Sequence, residues 1–597
     1  MQRVSQAWKD NQNNTLVSES DITISLKMTD PDAYEDASAT DNGKVFFADT
    51  SYIVGDGDKE IHSYATLETN QWVLDGSREI VPNSNYGEGG YIGNVLCGND
   101  RLYTTNPIVS IGFTKVHTNL LQGITITWSN FLNEYAEEFV VTAYNGEAVV
   151  AEKHVTENAS VQSVVMFDIS NYNRITIEVI KWSTAHRRAR IEEIFVGVNK
   201  VFSKTDLLSY DCSYSANPIS AELPKSEISF SISNIDELYN PYNTQGLSKY
   251  LIERQEITVN YGYKLDDKIE WIKGGKFYMS AWDAKQNGLS AEFKARDLLE
   301  FMSGTYYKGL YNENGTSLYD LAEAVLQDAD LPLNSDGSVK WVIDDSMKNI
   351  YTIAPLPVDT CANCLQLIAN AGGCIICQDR EGILRIKRIL LSSSDTDGYV
   401  INHFNSYSKS ELSLSKPLKQ VDVPLYSFSK ATETSELFKG TMSINGTNDV
   451  VITYSGTATD VTATLSEGAV LNKATYYSNA CVLNITASGD VMITLNGYSL
   501  EQSSVQITTI SGVDGETVTV NNPLITSQER AVEVGSWVEK YMRNRMILSS
   551  QWRADPRLDA LDIIDNENDY IINKTIMTNV KYSYNGAFRG SGEGRVI

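Results

Sequence analysis

Short runs of alternating apolar and polar residues recur along most of the 597-residue chain. Alternation puts every second side chain on one face, the pattern of half-buried strands. In the first third, residues 22–28, 108–113, 123–128, 138–144, 148–154, 163–169, 174–181 and 190–196 read this way. Turn residues such as Asn145-Gly146 separate them. Many short strands at fairly even spacing predict a sandwich or jelly roll.

The alternation continues through 228–232, 255–263, 269–278 and 289–295, and then helical periods enter. A short helix is expected at 296–302. Residues 317–329 carry the stripe Leu318, Leu321, Ala322 and Val325, with Ser317 and Asp320 as a capping box. Cys361, Cys364, Leu365, Ile368 and Ala369 form a second stripe, ended by Gly372-Gly373. A hairpin over 374–388 turns at Asp379-Arg380-Glu381-Gly382.

Between 421 and 522 charges thin out and Thr, Ser, Val, Gly and Asn dominate. The short runs 449–454, 460–465, 480–487, 490–495, 504–510 and 517–520 predict a small β-sandwich or solenoid-like insert. A helix over 527–545 follows, striped by Ala531, Val534, Val538, Tyr541 and Met542 and capped by Thr526 with Glu529. The end returns to strand and closes on a Gly-rich stretch, 590–594, read as a loose tail. The organisation is mainly β and multidomain: an arm (1–17), a jelly roll (18–203), a β-barrel and helical region (204–420), the insert (421–525) and a return to the barrel (526–597).

Composition narrows the function. The hydrophobic fraction of 42% and charged fraction of 21% are globular values. Nothing approaches the ~18 consecutive apolar residues of a membrane span, and the polar start lacks the apolar core of a secretory signal, so export by that route is not expected. A net charge of −27 argues against a dedicated nucleic-acid binder and against docking on anionic lipid. Seven cysteines without a signal are read as reduced thiols. Cys361, Cys364, Cys374 and Cys377 form two C-x-x-C pairs, which on paper also suit zinc. The helical stripe favours core positions for the first pair, and strand geometry points the second pair to opposite faces.

No G-x-S-x-G, H-E-x-x-H or Walker motif is present, and Gly87-Glu88-Gly89-Gly90 reads as a loop. His62, His117, His154, His186 and His403 are scattered without ligand spacing. No residue is assigned a catalytic, cofactor-binding or metal role, and no enzyme activity or cofactor is expected. The one basic run, His186-Arg187-Arg188-Ala189-Arg190, suits a solvated strand edge or an acidic neighbouring subunit.

Several segments carry a resemblance. Residues 64–77 (YATLETNQWVLDGS), 123–128 (GITITW) and 189–194 (ARIEEI) resemble the discoidin-like, galactose-binding-type jelly roll that fronts tail proteins of phages and prophages of Gram-positive bacteria. Residues 206–234, closing on FSISN, and 294–299 (KARDLL) resemble the tail-tip or baseplate hub family, as do 378–384 (QDREGIL), 553–562 (RADPRLDALD) and 582–586 (YSYNG). The departure is Ala560-Leu561 before Asp562, where a Gly is usual.

The resemblance implies hub-type tandem β-barrels in a homotrimer that closes the tail tube of a virion, made in the host cytoplasm. It implies contact with the distal tail protein and the tape measure protein, and opening for DNA to pass. An acidic lumen would let DNA slide through. Many relatives continue into a hydrolase or fibre, and neither is expected within these 597 residues. The alternative is a receptor- or glycan-binding tail protein contacting the host cell wall, with Trp128, Tyr135, Trp182 and Tyr86 as sugar-stacking aromatics or core. A wall-degrading hydrolase ranks last.

Overall fold

A computed structural model describes residues 1–41, 45–48, 53–55, 64–80, 90–243, 246–248, 251–265, 268–285, 288–334, 338–389, 399–408, 410–567 and 571–597. The chain is mainly β, as its alternation requires. Its centre is one 13-stranded sheet. The order across it is Val198–Ser203, Ser20–Met28, Glu256–Leu265, Lys268–Asp283, Ser290–Arg296, Lys225–Ser233, Leu207–Ser215, Ile572–Tyr584, Phe588–Val596, Met546–Arg553 and Glu411–Leu414. Ile563–Glu567 pairs with Ile572–Tyr584 and with Val400–Ile401 off this path. The two halves of the expected tandem barrels are thus one continuous sheet. They join where Tyr210 faces Tyr584 and Ser215 faces Asn579.

Two boundaries differ from the sequence reading. Ser20–Met28 and Val198–Ser203 were expected inside the jelly roll, but they pair with each other, Thr23 with Ser203 through Met28 with Val198, and belong to the central sheet. The N-terminal domain is therefore inserted into a hairpin of the central sheet. Period-2 alternation marks a strand but not the sheet it joins. The arm is not separate either. Its helix Gln6–Asn13, capped by Ser5, buries Trp8 fully. The Trp8 ring meets Tyr263 edge-on at 5.0 Å, and its Nε1–H donates to Asp555 Oδ1 at 3.1 Å.

The inserted domain is a β-sandwich. A five-stranded antiparallel sheet centred on Ala136–Asn145 and Tyr172–Trp182 shares one core with the three-stranded sheet of Leu121–Thr127, Gln162–Ile169 and Glu193–Phe195.

A second core gathers the helices Leu318–Asp328, Cys361–Gly372 and Gln528–Met542 against the base of the insert. Ser317 Oγ accepts the Asp320 N–H, and Gly373 closes the cysteine helix at φ 64°. The third helix starts one residue from expectation: Ser527, not Thr526, accepts the Arg530 N–H. Both hydroxyls suit a cap by spacing; the Thr526 hydroxyl instead takes the Ile353 N–H and donates to Thr352.

The insert is a long ribbon, Leu418–Thr453 against Ala480–Ile510, with Ala458–Leu465 and Val470–Tyr476 added along one edge and Glu516–Thr519 on the other, five strands in all. A register shift between Lys430 and Thr434 breaks the alternation, which is why the sequence reads as separate short strands. Its turn docks on the body: Asn479 Nδ2 donates to the Leu356 carbonyl at 2.7 Å, and the Tyr311 N–H donates to Ser478 Oγ at 2.6 Å.

The Gly-rich end is no loose tail. It forms the strand Phe588–Val596. A Cβ on Gly590 would stand 2.7 Å from the indole of Trp552, so the glycine lets the fully buried tryptophan cross the strand.

The turn where the sequence lacks the usual glycine still forms. Leu561 takes φ 74°, the left-handed region that costs a side chain about 1 kcal/mol or more, and its N–H donates to the Met577 carbonyl at 2.6 Å. Relief of this backbone cost should offset much of the lost packing in L561G. L561V, β-branched, should be the less stable of the two by at least about 1 kcal/mol in urea unfolding. Equal midpoints would show that the turn does not hold this conformation.

Candidate functional site

The strand period sets the character of the central sheet's outer face. In Leu207–Ser215, Tyr210, Cys212 and Tyr214 point into the core, so Asp211 and Ser213 point out. The same alternation puts Glu227 and Ser229, Lys294 and Arg296, Lys581 and Ser583, and Arg589 and Ser591 on that outer face. Together with Ser280 and Gln551 they line a concave trough of about 910 Å³ across seven neighbouring strands. Half-buried serines form the floor, and the exposed rim carries four basic and two acidic side chains. Glu227 lies opposite Arg296 in register, while Lys294, Lys581 and Arg589 lie opposite serines. The rim is thus of mixed sign and on balance basic, unlike the chain's net charge of −27.

Beneath the trough lies a buried polar network. Arg380, in the hairpin turn, is 4% exposed. Its Nε donates to Asp559 Oδ1 at 2.7 Å, Nη1 to the Lys273 carbonyl at 2.9 Å and Nη2 to the Leu558 carbonyl at 3.1 Å. The guanidinium lies 5.3 Å from the Tyr214 ring and 5.7 Å from the Tyr261 ring. Tyr582 donates to the carbonyls of Asp555 and Leu558, and the Tyr210 and Tyr261 hydroxyls are 2.6 Å apart. Asp297 of the KARDLL segment accepts the N–H groups of Leu299 and Ser226. Burial nevertheless pushes its carboxyl up to about 7.

The residues singled out from sequence disperse into structural roles. Arg187 donates to Glu134 at 2.8 Å and Arg190 to Glu68 at 3.0 Å. Arg187 and Arg190 are buried on acids of this same chain, not on a solvated edge, while His186 is exposed and Arg188 half-buried. Sequence spacing could not join residues 53 and 122 positions apart. Trp128 and Trp182 are fully buried, with ring centroids 5.9 Å apart, and donate to Ser163 and Glu134. They are core, not sugar platforms, and Tyr135 is half-buried. Tyr86, His62 and residues 87–89 lie outside the described residues. Trp72 is instead the exposed tryptophan of this domain, at 52%, and Arg78, two turns on, lies over the exposed Phe131 ring.

His117 is buried against Asp36 at 2.9 Å, and His154 meets Glu138 at 2.8 Å. Burial would raise Asp36. Hydrogen bonds from Thr114, His117 and the Lys115 backbone outweigh it and hold the carboxyl down at about 2.

Cys361, Cys364 and Cys374 are buried, and burial pushes the Cys364 and Cys374 thiols up to about 12. Cys364 Sγ faces the Pro357 carbonyl and Cys374 Sγ the Gly372 carbonyl. Among the described residues no group of three or more His, Cys, Asp or Glu could hold a metal ion. Native alkylation at pH 8 should leave Cys361, Cys364 and Cys374 unmodified, and EDTA should not move the unfolding midpoint. A zinc site would show itself by a fall in that midpoint on chelation.

No family model matches the chain, and no curated protein matches it. Among solved structures it is similar to the 43 kDa tail protein of prophage MuSo2 from Shewanella oneidensis, at 9% identity and TM-score 0.36 over 66% of this chain and 95% of that one. It is also similar to a tail protein from Neisseria meningitidis (11%, TM-score 0.36, 66% and 93%). A prophage tail protein from Listeria monocytogenes is similar at 10% identity and TM-score 0.36, over 67% and 91%.

Proposed function

We propose that this chain is a structural hub of a phage-type tail, acting as a homotrimer without enzymatic activity. The observation that carries the reading is convergence. Three segments that resemble the hub family, far apart in sequence, meet in one buried network: Arg380 of QDREGIL on Asp559 of RADPRLDALD, and Tyr582 of YSYNG on the carbonyls of Asp555 and Leu558. Residues that only lend stability to unrelated folds would have no reason to gather there.

The trough adds to the reading. A concave polar face spanning both halves of one sheet is the kind of wall that copies related by rotation would set around a channel. Its charges are of mixed sign and its floor is hydroxyl, so it holds no dense phosphate-binding row. Distal tail and tape measure proteins are the partners this role requires, and DNA would pass without specific contact. The second reading, glycan contact through the inserted sandwich, draws on the exposed Trp72 and Phe131.

The test is the mass of the purified chain in solution beside negative-stain class averages. A threefold ring with a central opening, at three times 66.3 kDa, is expected. A monomer at tail-like concentrations that is retained on host cell wall, with retention lost in W72A, would favour the glycan reading instead.

A further inference from the structure

The long ribbon carries two separate cores. At its base, Leu418, Val421 and Val423 pack with the helices of the body. Residues 437–500 form a head with a core of its own, built on Leu437, Ile444, Val461, Leu483, Ile485 and Ile493. Residues 427–436 and 501–506 run between the two and hold no buried side chain. From 427 to 430 this neck is only two strands wide, because Glu516–Thr519 pairs no further than Asp422 and Ala458–Leu465 begins opposite Ser499. Two strands with no buried face are marginal by themselves. The register also slips there, between Lys430 and Thr434 and again between Glu436 and Phe438. Such slips disrupt a ladder and let it bend.

A clasp beside the neck sets where the head points. The Ser478 N–H donates to the Lys308 carbonyl at 3.0 Å, the Tyr311 N–H to Ser478 Oγ at 2.6 Å and Asn479 Nδ2 to the Leu356 carbonyl at 2.7 Å. Among the described residues these are the hydrogen bonds that join head to body. The body's side of the clasp is strained. Gly309 takes φ 77° and Leu310 φ 61°, two left-handed residues in succession, and the second carries a side chain. A Cβ on Gly309 would stand 2.7 Å from Asn479 Nδ2. The bonds that hold the head therefore also hold this loop in a costly conformation. Opening the clasp relieves the strain, and neither core loses a member, since the two share no residue.

We propose that the head of the insert is a hinged arm, closed against the helical region by the Ser478–Asn479 clasp and swinging about the neck when the clasp opens. The device does not depend on the hub reading, because it needs only this chain.

Native-state hydrogen exchange of the full chain tests the opening. The amides of Ser478 and Tyr311 should exchange at least about tenfold faster than those of Leu483 and Ile493 in the head and of Val325 and Leu365 in the body. N479A should speed the first pair by at least about tenfold more and leave both cores unchanged. Spin labels on Q327C in the body and E467C in the head test the swing: one narrow distance in the parent chain, a broad distribution with N479A. If N479A loses the parent's circular dichroism, S478A, which removes only the acceptor of Tyr311, decides by the same criteria. Exchange of Ser478 and Tyr311 in step with the head core, or an unchanged label distance in the folded variant, would overturn the proposal.

Discussion

The Arg380 guanidinium is the tie on which the central body depends. It sits on a hairpin of the helical region, yet its bonds go to a strand of the first half of the sheet and to the segment before the closing strands. Removing one partner of such a buried pair leaves a charge without compensation, a loss of about 3–5 kcal/mol. The surrounding tyrosines make the site narrow: Tyr214 and Tyr261 offer ring faces, and Tyr582 shares the Leu558 carbonyl with the arginine. Three chain regions are thereby fixed by one planar group, and the continuous sheet follows from that fixation together with the strand pairing at Tyr210 and Tyr584.

Local patterns in the sequence carried far. The cysteine helix and its glycine stop are where periodicity puts them, because stripes and stops act over three or four residues. The assignment of Ser20–Met28 to the jelly roll failed for the opposite reason: its partners are Val198–Ser203 and Glu256–Leu265, and alternation is silent on distance. The tail misreading at Gly590 has the same root. Glycine there answers to the Trp552 ring, 38 residues earlier in the chain, and not to a need for flexibility. The trough was not legible, since it collects single residues from many strands. The resemblance motifs did mark the network beneath the trough, although nothing in their spacing showed that they touch.

Charge is distributed against the average of the chain. The trough's rim is on balance basic, against the chain's net charge of −27. Such local inversion is how an acidic chain can still meet anionic or acidic neighbours at chosen places. The inserted sandwich sits within the first hairpin of the central sheet, and the long ribbon is clasped through Ser478 and Asn479 to Tyr311 and Leu356 of the helical region. Both are positioned by the central body and neither interrupts its sheet.

The central claim is that both halves of the sheet form a single cooperative wall. Native-state hydrogen exchange across the junction tests it most directly. The amides of Cys212 and Tyr214 on one side, and of Val580 and Tyr582 on the other, should open with free energies within about 1 kcal/mol of each other. They should also shift together when Arg380 is replaced by Gln. Fast exchange confined to Ile572–Tyr584, with Leu207–Ser215 still protected, would contradict the account and leave two separate barrels in contact.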